Sequence, residues 1–251
     1  MFTYFRLILL VLFTVSCQKP QPDNITIAAA ANMQFAITEI SKKFTDKTGI
    51  PCHLVISSSG KLTAQIKEGA PYDILIAANM KYPNSIYDSG LASQKPKIYA
   101  QGQLVVWSLY DDIQLGIKEL TSTYIEHIAI ASPKNAPYGQ AAIDALQHYG
   151  VYEKVKHKLV FAESIAQTNQ FIISQSAQVG FTAKSTVLSP KLKNKGTWID
   201  VDANSYTPID QGVLVINNNT DTVKKTQQFY DFLFSAEAKK ILEDFGYLVS
   251  E

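Results

Sequence analysis

The chain has 251 residues, 46% of them hydrophobic and 18% charged, and 23 basic against 22 acidic residues leave a formal net charge of +1. That length supports one large or two modest α/β cores, and the balanced charge argues against a nucleic-acid partner, which needs a concentrated basic face. Two cysteines, Cys17 and Cys52, and four scattered histidines, His53, His127, His148 and His157, exclude a disulfide framework and zinc-finger spacing.

Residues 1–16, MFTYFRLILLVLFTVS, place Arg6 ahead of an apolar run from Leu7 to Val15. The run is too short for a comfortable membrane span and has the form of a secretory h-region. It stops at Ser16-Cys17, before the polar QKPQPDN. A small residue followed by Cys resembles a bacterial lipoprotein cleavage site, with residues 1–17 as the signal and Cys17 as the lipidated N-terminus. Thr14 departs from the usual aliphatic residue three positions earlier, and a plain secretory signal with an incidental Cys is the alternative. On the lipoprotein reading residues 18–23 are a tether and Cys52 is a buried free thiol.

Residues 24–31, NITIAAAA, read as a first strand buried on both faces. Asn32 breaks the run, and Ile37, Ile40, Ser41 and Phe44 continue at helical spacing until Thr48-Gly49-Ile50-Pro51 ends the helix. Leu54-Val55-Ile56 is a second strand, broken by Ser57-Ser58-Ser59-Gly60; a helix through Leu62 and Ile66 ends at Gly69-Ala70-Pro71, before a third strand at 72–76. In this βαβαβ unit Asn32 and Ser58/Ser59 fall at carboxyl ends of strands, where open α/β sheets bind ligands. A serine turn opening a helix leaves unpaired N–H groups at the positive end of the dipole, which favours an anion. An ordinary N-cap that binds nothing fits the same residues.

Further along, the pattern predicts a helix over 85–91, an apolar strand after Gly102, a strand at 127–131 and a turn SPKNAPYG at 132–139. Helices at 140–148 and 151–158, a strand at 159–161, a turn and helix AESIAQTNQFI at 162–172 and a strand at 179–183 follow. Strands at 198–201 and 208–216 precede helices at 221–234 and 236–245. No CxxC, HExxH, P-loop or GxSxG pattern occurs, so nothing reads as catalytic.

Four stretches, in this order, resemble signatures of the molybdate-binding proteins of ABC transporters, the ModA family: AAAAN at 28–32, SSSGKLTAQIKEGAPYDILIAAN at 57–79, SPKNAPYGQAA at 132–142 and AESIAQTNQFI at 162–172. The resemblance covers roughly residues 24–250. It implies an α/β, two-lobed type II periplasmic-binding-protein fold (a Venus flytrap) of mixed, mainly parallel sheets flanked by helices. Lobe one would be 24–100 and 207–251, lobe two 101–206, with the hinge at the crossings. It further implies molybdate or tungstate held between the lobes by Asn32 and Ser59, with Ser58 as second choice, by the backbone N–H groups of Ala31 and Ile165, and by the Tyr138 hydroxyl. The metal would be bound only through its oxygens, with no direct protein ligand. Some members carry a further ligand tyrosine where this chain has Ala183, so that contact is absent. Without the resemblance, Tyr138 reads equally as a tyrosine stacked on a proline turn.

The same resemblance implies an extracytoplasmic, membrane-anchored lipoprotein that acts as a monomer, delivers its ion to ABC-transporter permease subunits, needs no cofactor and is not an enzyme. Two other readings stand beside it. One is a binding protein of this fold for another oxyanion such as sulfate; an organic acid would want an Arg, which none of the ligand turns contains. The other is a serine-dependent hydrolase using Ser58 or Ser59, which needs a histidine base; His53, on the strand before the turn, lies too far back.

Overall fold

The computed structural model describes residues 24–216 and 222–249. The leader, Cys17, the tether and the expected start of a helix at Asp221 lie outside them. The first half of the chain runs β1 (Ile25–Ala30), α1 (Gln34–Thr48), β2 (Cys52–Ser57), α2 (Ser59–Lys67), β3 (Ile74–Ala77), α3 (Lys81–Asp88), β4 (Lys97–Gly102) and β5 (Leu104–Ser108). There follow β6 (Ile128–Ala131), α4 (Pro137–His148), α5 (Tyr152–Val155), β7 (Leu159–Ala162), α6 (Ile165–Ile173), β8 (Val179–Ala183) and α7 (Lys184–Val187). The chain closes with β9 (Thr197–Asp200), β10 (Ile209–Val215), α8 (Val223–Leu233) and α9 (Ala236–Asp244). A 3-10 turn, Ala31–Met33, joins β1 directly to α1.

The strands make two five-stranded sheets of one plan, ordered β2-β1-β3-β10-β4 and β7-β6-β8-β5-β9. In each, three parallel strands are extended by an antiparallel strand, β10 or β5, whose outer neighbour is antiparallel to it in turn. Two mixed sheets flanked by helices are the two-lobed fold the sequence motifs imply. Strand periodicity explains why β1 is apolar except at Thr26: Ile25, Ile27 and Ala29 pack with α1, α8 and α9, while Ala28 packs with α2 and α3 on the other face. In β6, Ile128 and Ile130 share a core with α4, and Ala129 packs with Ile172 of α6.

The chain passes from the first sheet to the second through Gln103 alone and returns through residues 201–208. The two crossings are tied together where the Leu104 N–H donates to the Tyr206 hydroxyl at 3.2 Å.

Three local expectations are corrected. A strand precedes Gly102 as well as follows it: β4 is an edge strand with Lys97 and Ile98 exposed, so its sequence lacks the apolar run of a central strand. Helix α3 starts at Lys81 rather than Ser85, because Pro83 falls in the first turn, where a missing N–H costs no helical bond. Cys52 is half-buried on the edge strand β2 rather than buried, and desolvation still pushes its thiol pKa up.

Candidate functional site

Four helical segments begin at or just beyond the carboxyl ends of parallel strands: the 3-10 turn after β1, α2 after β2, α4 after β6 and α6 after β7. Their first residues meet around one cavity of about 10 Å³. Ala31, Asn32, Ser58, Ser59, Tyr138 and Ile165 all line it, and its remaining walls are alanines and Pro137. Among the described residues, none that lines it is charged or a histidine.

Donors reach this space in three ways. Ala30, the N-cap of the 3-10 turn, has no side-chain oxygen to offer, so the first N–H groups of the turn have no cap. Helix α4 likewise starts behind an uncapping Ala136, and Pro137 has no N–H, which leaves the Tyr138 N–H foremost. Helix α6 is capped at Gln167 by Ser164, with Ile165 as its first residue.

The second set is hydroxyls from the first lobe. Ser58 Oγ accepts the Lys61 N–H at 3.4 Å, and Ser59 Oγ accepts the Ala78 N–H at 3.0 Å. Because both oxygens accept from the backbone, both hydroxyl protons remain available to a ligand.

Tyr138 supplies the third. Its ring is buried, and its hydroxyl lies so close over Gly102 that a Cβ there would stand 2.1 Å from Oη. Burial, reinforced by neighbouring Tyr247, holds its phenol well above the ordinary 10.0, so it stays an O–H donor. The order Pro-Tyr-Gly has a steric cause. A Cβ on Gly139 would meet the Ala131 carbonyl oxygen at 2.0 Å, so only glycine lets α4 start this close to the end of β6.

Asn32 behaves differently from the free side-chain donor its motif suggests. Its amide donates to Gln211 Oε1 at 2.8 Å and Tyr247 Oη at 3.0 Å, and its side chain also bears on the Tyr138 hydroxyl. The turn therefore has backbone N–H groups, rather than this amide, to offer the cavity. Gln211, fully buried on β10, is fixed in turn by donating to the carbonyls of Ala78 at 3.2 Å and Ile209 at 3.0 Å. Sequence reasoning missed Gln211, Tyr247 and Ser185; of these only Gln211, a lone amide in the strand IDQGVLV, carried a local signal.

The lobes meet around the site. The Gly60 N–H donates to the Asn135 carbonyl at 3.0 Å, the Tyr82 hydroxyl donates to the Lys134 carbonyl at 3.2 Å, and the exposed pair Lys61 and Glu163 lies 3.6 Å apart.

Matched sheets joined by two crossings and closed on an uncharged, donor-lined cavity define a solute-binding protein of the two-lobed class. Residues 25–248 match the family described as bacterial extracellular solute-binding protein. Over 227 residues the chain is 35% identical to the molybdate-binding protein ModA of Rhodobacter capsulatus, covering 90% of this chain and 88% of that one. It is 28% identical to a putative ABC transporter substrate-binding lipoprotein, YvgL, of Bacillus subtilis, over 89% of this chain and 86% of that protein. Among solved structures it is similar to the periplasmic molybdate-binding protein of Azotobacter vinelandii, with a TM-score of 0.86 and 28% identity, covering 91% of this chain and 100% of the other. The chain belongs to the ModA family of bacterial extracellular solute-binding proteins. That family consists of transporter binding proteins, not enzymes.

Proposed function

We propose that this protein captures molybdate, and tungstate, between its lobes and delivers it to an ABC-transporter permease. The observation that carries the reading is the convergence of four helical N-termini and three hydroxyls on one small cavity that no charged side chain among the described residues lines. Desolvating a dianion is costly, and charge-assisted hydrogen bonds of roughly 1.5–3 kcal/mol each offset that cost. Helix dipoles add to it without any protein charge. The ion is larger than the closed space, so the lobes part to admit it and settle on its oxygens. Since both lobes supply donors, the ion stabilises the closed state differentially, which is what a permease can read.

Within each lobe the donors are fixed at helix ends at one spacing, so an ion with closer-set oxygens meets fewer of them at good geometry, and size selects against sulfate. A protonated oxyanion brings a donor into a cavity that presents donors. The anchoring part of the reading rests on Ser16-Cys17 and on the likeness to a protein described as a lipoprotein. In it, Cys17 carries the lipid that holds a monomer at the membrane surface. No helix among the described residues is long and apolar enough to cross a membrane.

Thermal unfolding with molybdate, tungstate, sulfate and phosphate in turn tests the ligand. An ion at 100 times its Kd adds about 2.7 kcal/mol of stability. A rise with molybdate and tungstate alone supports the proposal. A rise with sulfate alone moves the protein to the sulfate reading, and no rise with any of the four defeats the oxyanion assignment.

A further inference from the structure

Asn32 is held by partners from both lobes. Its carbonyl accepts from Ser185 Oγ of α7 at 2.7 Å and from Tyr247 Oη at 2.9 Å. Its amide nitrogen donates to Tyr247 Oη at 3.0 Å and Gln211 Oε1 at 2.8 Å. Ser185 Oγ and Tyr247 Oη lie 3.2 Å apart, which closes a triangle of hydroxyls on the one carbonyl. All four residues are buried, and none of the three partners lines the cavity.

Tyr247 and Gln211 pack within the first lobe, whereas Ser185 follows β8 of the second. Lys184, next to Ser185, donates its N–H to the carbonyl of Gln103, the single-residue crossing, at 2.9 Å. A rotation of the lobes about that crossing therefore acts directly on the bond between Ser185 and Asn32. In a buried network each member's geometry depends on the others, and an atom left without its partner is costly.

We infer that Ser185, Tyr247 and Gln211 are positioning residues of the oxyanion site, which aim the backbone N–H groups of the Ala31–Met33 turn through Asn32, and that Ser185 makes this aim depend on lobe closure. The inference rests on the oxyanion-binding reading above. It assigns Asn32 the role of a joint between ligand and hinge.

The test is stopped-flow binding of molybdate to the full-length protein and to Ser185→Ala, Tyr247→Phe and Ser185→Thr, each checked for native circular dichroism. Ser185→Ala and Tyr247→Phe should each raise koff about tenfold while kon stays within about twofold. Their effects together should be less than multiplicative, since they share one acceptor. Ser185→Thr, which keeps the hydroxyl, should return koff to the parent value. An unchanged koff in Ser185→Ala overturns the inference, and so does Ser185→Thr behaving like Ser185→Ala, which would make the effect one of packing. If the parent protein binds no oxyanion, the reading beneath it fails; a parent that binds with unaltered variants sinks the inference alone.

Discussion

At the scale of single residues, Ser59 does two things with one oxygen. Its Oγ satisfies the buried Ala78 N–H while its proton is left for the ligand. Ser59→Ala should therefore cost about 1–3 kcal/mol of folding stability, the penalty of a stranded buried donor, and weaken molybdate binding as well. Ser58→Ala removes a longer, 3.4 Å cap and should cost less, about 1 kcal/mol. Urea titration and calorimetric binding of the two variants check the order. The place of the serines at a strand end was legible because polar residues that interrupt an apolar run mark such ends, whereas Tyr138 was singled out only by the resemblance of its APYG turn to the family's. The partners of Asn32 were not. Gln211, Ser185 and Tyr247 lie 179, 153 and 215 residues from it in sequence, so only the completed fold brings them together. That the Asn32 amide is spent internally could not be read from its motif for the same reason.

Among elements, the placement of α4 against β6 decides where Tyr138 goes. The obstacle to a side chain at Gly139 is a backbone carbonyl, which cannot swing aside as a side chain could. Gly139→Ala should displace the start of α4, cost about 1–3 kcal/mol, and weaken binding beyond what Tyr138→Phe loses. Melting curves and titration calorimetry on both variants measure the two effects together; an Ala variant with parental affinity would show that α4 has slack there. The central strands β1, β3, β6 and β8 were legible from apolar runs broken only by Thr26 in β1 and by Gly180 and Thr182 in β8, since both faces of each are covered by helices or the opposing core. β4 was not, because β10 is its one strand neighbour among the described residues, with a single bridge from Gln101 to Leu248 beyond it, and its KIYAQG alternates irregularly between core and solvent. The start of α3 was hidden by Pro83, which inside a helix is disruptive but in the first turn is tolerated.

For the whole molecule, the lobes share one apolar cluster in which Ala30, Ala31 and Ala78 pack with Leu104, Tyr138 and Ile165, so closing is also burial. Three phenols, Tyr99, Tyr138 and Tyr247, are buried close enough to disfavour one another's ionisation, and burial pushes each above the ordinary 10.0. In the unfolded chain these groups titrate near 10, whereas the fold keeps their protons to higher pH. Above that point the native state binds more protons than the unfolded one, so stability falls as pH rises. Below it the phenols are neutral in both states and their contribution is constant. Melting temperature followed from about pH 8 to 11 should stay level in this contribution and then drop beyond about pH 10. Affinity for molybdate answers to the same group by a different route. Among the described residues Tyr138 is the only titratable side chain lining the cavity, and its phenol is held neutral. Binding should therefore hold steady from about pH 7 to 9 and vary little with salt, since no charged side chain among the described residues lines the site. A Kd that rises severalfold across that interval would require an ionising contact at the ion, and the uncharged-donor account of the site would fall with it.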